Sequence, residues 1–141
     1  MPATFVHLRL HSAFSLTEST LRIGTLTKLV TGDSQPAAAI TDTNNMFGAL
    51  EFAQSMAAAG VQPIMGTQIE LEDKAGRGDV VLLAQNETGY VNLSQLLSKI
   101  LLSSDTAQTP ACAVEDLAGY SDGLILLTGG ALTGFVGGPA G

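Results

Sequence analysis

Short, almost uninterrupted apolar runs recur along the chain, separated by segments of more polar character. Runs of this kind are typical of strands that are buried on both faces of a sheet. The pattern predicts five strands, at residues 5–11, 36–41, 61–71, 80–84 and 123–128. Between the third and fourth runs, an acidic and glycine-containing stretch at residues 72–78 predicts a hairpin-like turn.

Segments with a helical spacing of apolar side chains lie between most of these runs. The clearest helix is predicted at residues 88–102, and its apolar stripe contains Leu93, Leu96, Leu97, Ile100 and Leu101. Further helices are predicted at residues 21–30, 47–59 and 114–117. Because strands and helices alternate, the sequence predicts an α/β fold with a parallel sheet or barrel.

Helix ends are marked by short polar residues and by glycines. The candidate N-caps are Ser19 or Thr20 for the first helix and Asn44 or Asn45 for the second. Gly32 and Gly60 are predicted to end these two helices, because glycine adopts the backbone conformation that terminates a helix at no steric cost.

The composition indicates that part of the surface is apolar. The 141 residues are 45% hydrophobic and only 13% charged, which is about half of the usual charged share. The chain is therefore one domain or a piece of one, and we expect part of its surface to contact other protein. We expect residues 1–130 to form the N-terminal portion of a domain, and residues 131–141 to form a Gly-rich tail that is truncated or disordered.

Charge and cysteine content restrict the partners and the compartment. The net charge is −7 with six Lys and Arg residues, so we expect this chain not to bind DNA directly, because DNA phosphates require clustered cations. Cys112 is the single cysteine, which excludes an internal disulfide and favours a cytoplasmic location. The uncharged stretch at residues 123–141 is too rich in glycine for a membrane helix, so no membrane partner is expected.

Polar side chains follow two of the predicted strands, in the segments His7–Ser12 and Ala39–Gly48. In α/β barrels the carboxyl ends of the strands supply the metal and phosphate sites. These two segments are therefore the candidate site. His7 itself, with apolar neighbours on both sides, is interpreted as a core or edge histidine whose hydrogen bonds are satisfied, rather than as a metal ligand.

Five segments together carry a family resemblance: His7–Ser12, Pro36–Gly48, Gly60–Gly66, Leu82–Leu93 and Asp122–Gly130. In this order and spacing they resemble the polymerase and histidinol phosphatase (PHP) domain. More narrowly, they resemble the form of that domain that begins the alpha subunit of bacterial C-family replicative polymerases. The resemblance covers nearly the whole chain. It implies a distorted (β/α)7 barrel, of which these residues hold about the first half.

The resemblance also implies a metal site, made in active members by a His-x-His pair, an Asp-His pair, a Glu after the third strand and further His and Asp residues. The corresponding positions in this chain are Arg9, His11, Asp42, Thr43, Gln68 and Asp79. Only His11 and Asp42 keep the expected residue type, and a guanidinium at position 9 cannot bind a metal ion. We therefore expect a degenerate site with no metal, no cofactor and no catalytic residue.

The remaining polar groups are compatible with one another. Arg9 is expected to pair with Asp42, and His11 to hydrogen-bond Asp42 or Thr43. For His11 and Asp42, a structural polar network is favoured over metal binding.

Two functions from different classes follow. The resemblance implies a non-catalytic scaffold within a DNA-directed DNA polymerase, a nucleotidyltransferase whose active site lies outside these residues. Its expected partners are the rest of the polymerase chain and the epsilon proofreading exonuclease. The alternative is a metal-dependent phosphoesterase or 3′–5′ exonuclease, in which metal-activated water attacks a phosphate ester. A third, less favoured option is an error-prone paralogue of the polymerase.

Overall fold

The computed structural model describes residues 5–15, 19–74, 76–103 and 110–128, so the predicted tail at residues 131–141 lies outside the described residues. The chain divides into two compact units, Met1–Thr67 and Gln68–Gly141. The elements in chain order are α1 (Ile23–Gly32), β1 (Ala37–Thr43), α2 (Ala49–Ala58), β2 (Gln62–Asp73), β3 (Gly76–Ala84), α3 (Glu87–Ser103), β4 (Cys112–Ala113), α4 (Val114–Gly119) and β5 (Leu124–Leu127). This mixed content of helices and strands confirms the predicted α/β class.

In the first unit, the strand predicted at residues 5–11 is wrong as a continuous element. It forms only a single parallel bridge, between His7 and Ala38 of β1. The backbone still follows β1, because the N–H groups of Ala39 and Thr41 donate to the carbonyls of His7 and Leu10 at 2.9 and 2.8 Å. The ladder is interrupted because His7 and Leu10 are three positions apart whereas Ala39 and Thr41 are two apart, so the N-terminal segment has one residue too many for a regular pairing. The His7 N–H also donates to a side chain, the Gln35 amide oxygen, at 3.0 Å.

The core of the first unit lies between its two helices and β1. Its buried hydrophobic residues are Ile23, Leu26, Val30, Ala38, Ile40, Phe52, Met56 and Val61. The spacing within α1 places three of these side chains on one face, as expected for an amphipathic helix. A hydroxyl pair, Thr27 Oγ1 and Ser55 Oγ at 2.7 Å, joins α1 to α2 beside this core.

The predicted N-caps of the first two helices are wrong. α1 begins after Arg22 and α2 begins after Gly48, and neither residue makes a side-chain cap hydrogen bond. Ser19 is used locally instead, since its hydroxyl accepts the N–H of Leu21 at 3.2 Å. The helix ends agree with the predictions: Gly32 is the last residue of α1, and Gly60 follows α2 with φ +78°.

In the second unit, the prediction of a parallel sheet is wrong for β3, and the pairing is mixed. β3 pairs antiparallel with β5, with Val81 opposite Leu127, whereas β4 pairs parallel with β2. Only two residues connect Asp73 to Gly76, and a crossover to a parallel neighbour needs about a dozen, so β3 must run back along β2. The turn between β2 and β3 agrees with the predicted hairpin-like turn, but it is shorter than the predicted stretch at residues 72–78.

α3 supplies most of the helical packing in the second unit. Leu93, Leu96, Leu97 and Ile100 are buried as predicted, but Leu101 is 47% exposed and does not belong to the buried stripe. The first turn of α3 lies against the residue before β5. A Cβ atom added at Gly89 would overlap the carbonyl oxygen of Gly123, so this approach requires glycine.

Replacing Gly89 with alanine tests this contact. We expect Gly89→Ala to lower the free energy of unfolding by about 3 kcal/mol, because the new Cβ meets backbone that no side-chain rotation can move. Urea unfolding followed by circular dichroism measures the change. The matched control is Gly24→Ala in α1, where a Cβ meets nothing within 4 Å and stability should be unchanged or slightly higher. Equal effects of the two substitutions would contradict the contact.

Cys112 gives a second prediction, because burial, with a smaller contribution from the nearby Asp116 carboxylate, raises the pKa of its thiol to about 11 from an ordinary 9.0. The unfolded chain releases this proton at lower pH than the folded chain does. The free energy of unfolding should therefore fall as the pH rises from about 9 to about 11. Urea titrations at several pH values measure the slope, and it should be shallower in Cys112→Ala. An unchanged slope in that variant would contradict the assignment.

Candidate functional site

The candidate site is centred on the carboxylate of Asp42, near the C-terminal end of β1. This side chain is 1% exposed, and three donors point at it. The Ser12 N–H donates to Oδ1 at 2.6 Å, the Ser12 hydroxyl to Oδ2 at 2.7 Å and the Ser15 hydroxyl to Oδ1 at 2.7 Å. Hydrogen bonds to an ionised carboxylate are about twice as strong as neutral ones, so they offset much of the cost of burying the charge.

The donors belong to one tight turn, Ser12–Ser15, which we call the serine loop. Both of its hydroxyls also act as acceptors: Ser12 Oγ accepts the Phe14 N–H at 3.1 Å, and Ser15 Oγ accepts the Thr43 N–H at 3.0 Å. The Ser15 N–H donates to the Ser12 carbonyl at 3.0 Å, which closes the turn. The serine loop is thus held to the end of β1 by side-chain hydrogen bonds on both sides of Asp42.

Thr67 and Asn45 extend this network within the first unit. The Thr67 hydroxyl, which is fully buried, donates to the Asp42 carbonyl at 2.7 Å. The Asn45 amide nitrogen donates to the carbonyls of Phe14 and Thr43 at 3.0 and 3.1 Å, and its oxygen accepts the Phe47 N–H at 3.1 Å. Asn45 therefore bridges the serine loop and the end of β1, and this contact takes the place of its predicted role as an N-cap.

The other predicted positions in the first unit lie around this network. Arg9 is exposed, and His11 and Thr43 are half-buried. Of these, Thr43 contacts the serine loop through its backbone N–H. The described hydrogen bonds of the Asp42 carboxylate come from Ser12 and Ser15. The expected pairing of Arg9 with Asp42 stays a prediction, as do the expected hydrogen bonds of His11.

Two predicted positions belong to the second unit. Gln68 directly follows Thr67 along β2 and is buried, and Asp79 is half-buried in β3. Across the described ranges, no three His, Cys, Asp or Glu side chains come together in a group that could hold a metal ion.

Sequence reasoning included Ser12 in a candidate segment but identified neither Ser12 nor Ser15 as a partner of Asp42. A signal was present: two hydroxyl residues three positions apart follow the first apolar run, and serine readily caps backbone N–H groups in turns. Their partner, however, lies about thirty residues away, and no local pattern shows which side chains of the two segments pair with each other.

In the described part of the chain, every helix is too short or too polar to cross a membrane.

Comparison with known proteins identifies relatives of this arrangement. The sequence pattern of the PHP domain matches residues 7–139. The DNA polymerase III subunit alpha of Caulobacter vibrioides is 42% identical over 134 residues, and that of Pseudomonas fluorescens is 38% identical over 131 residues. An error-prone DNA polymerase of Symbiobacterium thermophilum is 35% identical over 141 residues. The alignments cover 89%, 91% and 89% of this chain, but only 12%, 11% and 13% of the relatives.

Solved structures show the same fold at low sequence identity. An amidohydrolase from Chromobacterium violaceum, with bound sulfate and no metal, has a TM-score of 0.57 and 20% identity, over 67% of this chain and 32% of its own. A putative metal-dependent phosphoesterase from Bifidobacterium adolescentis has a TM-score of 0.56 and 17% identity, over 70% of this chain and 34% of its own. The matched fold is therefore partial. With the family pattern matched over nearly its whole length, this chain belongs to the PHP domain family.

Proposed function

We propose that this chain is the N-terminal part of the PHP domain of a DNA polymerase III alpha subunit, and that it serves as a structural scaffold with a degenerate metal site. The observation that carries the proposal is the Asp42 carboxylate, which is buried and already accepts three hydrogen bonds from Ser12 and Ser15. A carboxylate held in this way organises the end of β1 without a cation.

The chemistry of the donor set supports the degenerate site. A metal cluster requires several imidazoles and carboxylates with lone pairs directed at the ion. Here Arg9, Thr43 and Gln68 stand at positions where the family has ligands, and none of these side chains is a usual ligand for such a metal. The serine protons directed at Asp42 would compete with a metal ion for the lone pairs of this carboxylate. The residues present therefore do not fit the metal cluster.

The wider assignment rests on the polymerase relatives. DNA-templated DNA synthesis would belong to the longer polypeptide, in the cytoplasm, and the net charge of −7 argues against direct DNA binding by this part. Its partners would be the rest of the alpha chain and the epsilon proofreading exonuclease. Exposed large apolar side chains support protein contacts, with Phe47 74%, Leu50 70% and Leu102 87% exposed.

The second candidate function is a metal-dependent phosphoesterase. It is favoured by the likeness in fold to the putative metal-dependent phosphoesterase from Bifidobacterium adolescentis and by the retention of His11 and Asp42. An error-prone polymerase remains the alternative parent, since one of the relatives carries that name.

Metal content separates the scaffold from the phosphoesterase. After removal of metal with a chelator and dialysis against Mn²⁺ or Zn²⁺, we expect elemental analysis of the folded protein to find far less than one equivalent of either metal. The reason is that the described residues offer no group of three ligands. One equivalent or more, lost again in His11→Ala, would overturn the degenerate site and favour the phosphoesterase.

Replacing Asp42 with asparagine tests the network itself. We expect Asp42→Asn to lower the free energy of unfolding by about 2 kcal/mol, because charge-assisted hydrogen bonds to the serine loop are lost. Chemical denaturation provides the measurement. Asp122→Asn removes an exposed carboxylate and serves as the matched control, with a change near zero. If Asp42→Asn lowered metal content without lowering stability, Asp42 would be a ligand rather than a structural anchor.

A further inference from the structure

The helix α4 is a poorly buried element of the second unit. None of its six residues is buried, and no side chain caps its N-terminus. The strand before it, β4, pairs with β2 through two residues, Cys112 and Ala113. An element with so little buried apolar surface opens at a lower free energy than the core around it does. Polar contacts therefore contribute much of what holds α4 in place.

Lys99 of α3 makes polar contacts with α4 and with the residue that follows it. Its ammonium group donates to Asp116 Oδ1 at 2.7 Å. The same nitrogen lies 5.9 Å from the centroid of the Tyr120 ring, within the range of cation–π attraction. The side chains of Lys99 and Asp116 are 48% and 41% exposed, so water and salt reach this ion pair and can weaken it.

The segment that contains α4 is anchored on both sides. Before the helix, β4 is paired with β2. After it, the Asn92 side-chain nitrogen of α3 donates to the Asp122 carbonyl at 2.8 Å, and Gly123 lies against Gly89. α4 can therefore lift as a loop between two anchors while the sheet stays paired.

Cys112 lies two residues before the start of α4 and is 1% exposed. Its raised pKa shows which groups surround the sulfur. Burial is the main cause, the Asp116 carboxylate raises the pKa further, and the Leu117 backbone N–H and the Lys99 ammonium lower it. Groups of α4 and α3 therefore lie close to the thiol, and lifting α4 would expose the thiol to solvent.

We propose that α4 is a lid over Cys112, and that Lys99 holds this lid closed. The thiol then reacts with small oxidants or electrophiles only while the lid is lifted. Because the ion pair of Lys99 is exposed, added salt weakens it and raises the fraction of molecules in which the lid is open. Access to the thiol thus depends on ionic strength, without unfolding of the rest of the unit.

The rate at which Cys112 is alkylated tests this proposal. Iodoacetamide is the probe, because it is uncharged and salt does not change its encounter with a chain of net charge −7. Mass spectrometry follows the modification of this single cysteine in the folded chain and in the chain unfolded by urea, at the same pH. Lys99→Met removes both contacts of the ammonium group, and Lys28→Met, at an exposed position of α1 in the first unit, is the matched control. Urea unfolding of each variant gives the globally unfolded fraction.

We expect the folded chain to react far more slowly than the unfolded chain, but faster than its globally unfolded fraction alone allows. Lys99→Met should react about fivefold faster than the unsubstituted chain, because an exposed ion pair and a cation–π contact are lost. Lys28→Met should react at the unsubstituted rate. Raising the salt concentration should accelerate the reaction of the unsubstituted chain and of Lys28→Met, but not that of Lys99→Met.

Three results would overturn the proposal. Equal rates in the folded and unfolded chains would mean that nothing covers the thiol. An unchanged rate in Lys99→Met would mean that Lys99 does not hold the lid. A rate equal to that of the unfolded chain multiplied by the globally unfolded fraction would mean that the thiol reacts only through global unfolding. If Lys99→Met did not fold, the salt series on the unsubstituted chain would decide, and a rate independent of salt would overturn the proposal.

Discussion

The buried charge of Asp42 is the constraint on which the arrangement of the first unit depends. A carboxylate in such a place is tolerated only if several donors surround it, and the serine loop supplies them from a segment about thirty residues away. The same hydrogen bonds fix the course of the chain before α1. Thr67 of β2 donates to the Asp42 carbonyl, which connects β2 to the same point. The result is a buried polar centre near the C-terminal end of β1, and hydroxyl groups organise it.

Under the proposed function, this arrangement explains how the domain keeps its fold with changed ligand positions. In a metal centre, the cation draws the ends of neighbouring strands together. In this chain the hydrogen bonds of Ser12, Ser15, Asn45 and Thr67 connect the described segments around Asp42. Under the proposed function, such a domain is retained for its contacts with other protein.

Local patterns predicted much of the fold, and long-range hydrogen bonds explain most of what they missed. The apolar stripe of α3 and the apolar runs of β1 and β3 were visible because burial leaves a trace in the sequence. β5 is also an apolar run, although Ile125 and Leu126 are exposed in the structure. The two-residue strand β4 has too few residues to leave such a trace. The N-terminal segment has the composition of a strand, but between its two backbone hydrogen bonds with β1 it has one more residue than β1, which interrupts the ladder. The positions of the candidate site came from the family resemblance, whereas its actual hydrogen-bond partners required the structure.

The close approach of α3 to the turn before β5 has a consequence for how sequences of this type can diverge. Gly89 and Gly123 meet backbone to backbone, and each is already the smallest residue. If one of the two residues became larger, the other could not become smaller to make room. Two packed side chains differ in this respect, because one can shrink when the other grows. Gly123 also has φ +75°, which independently disfavours any other residue. The two positions should consequently stay glycine together while the helix and strand around them change, which makes the pair a useful marker for distant homologues.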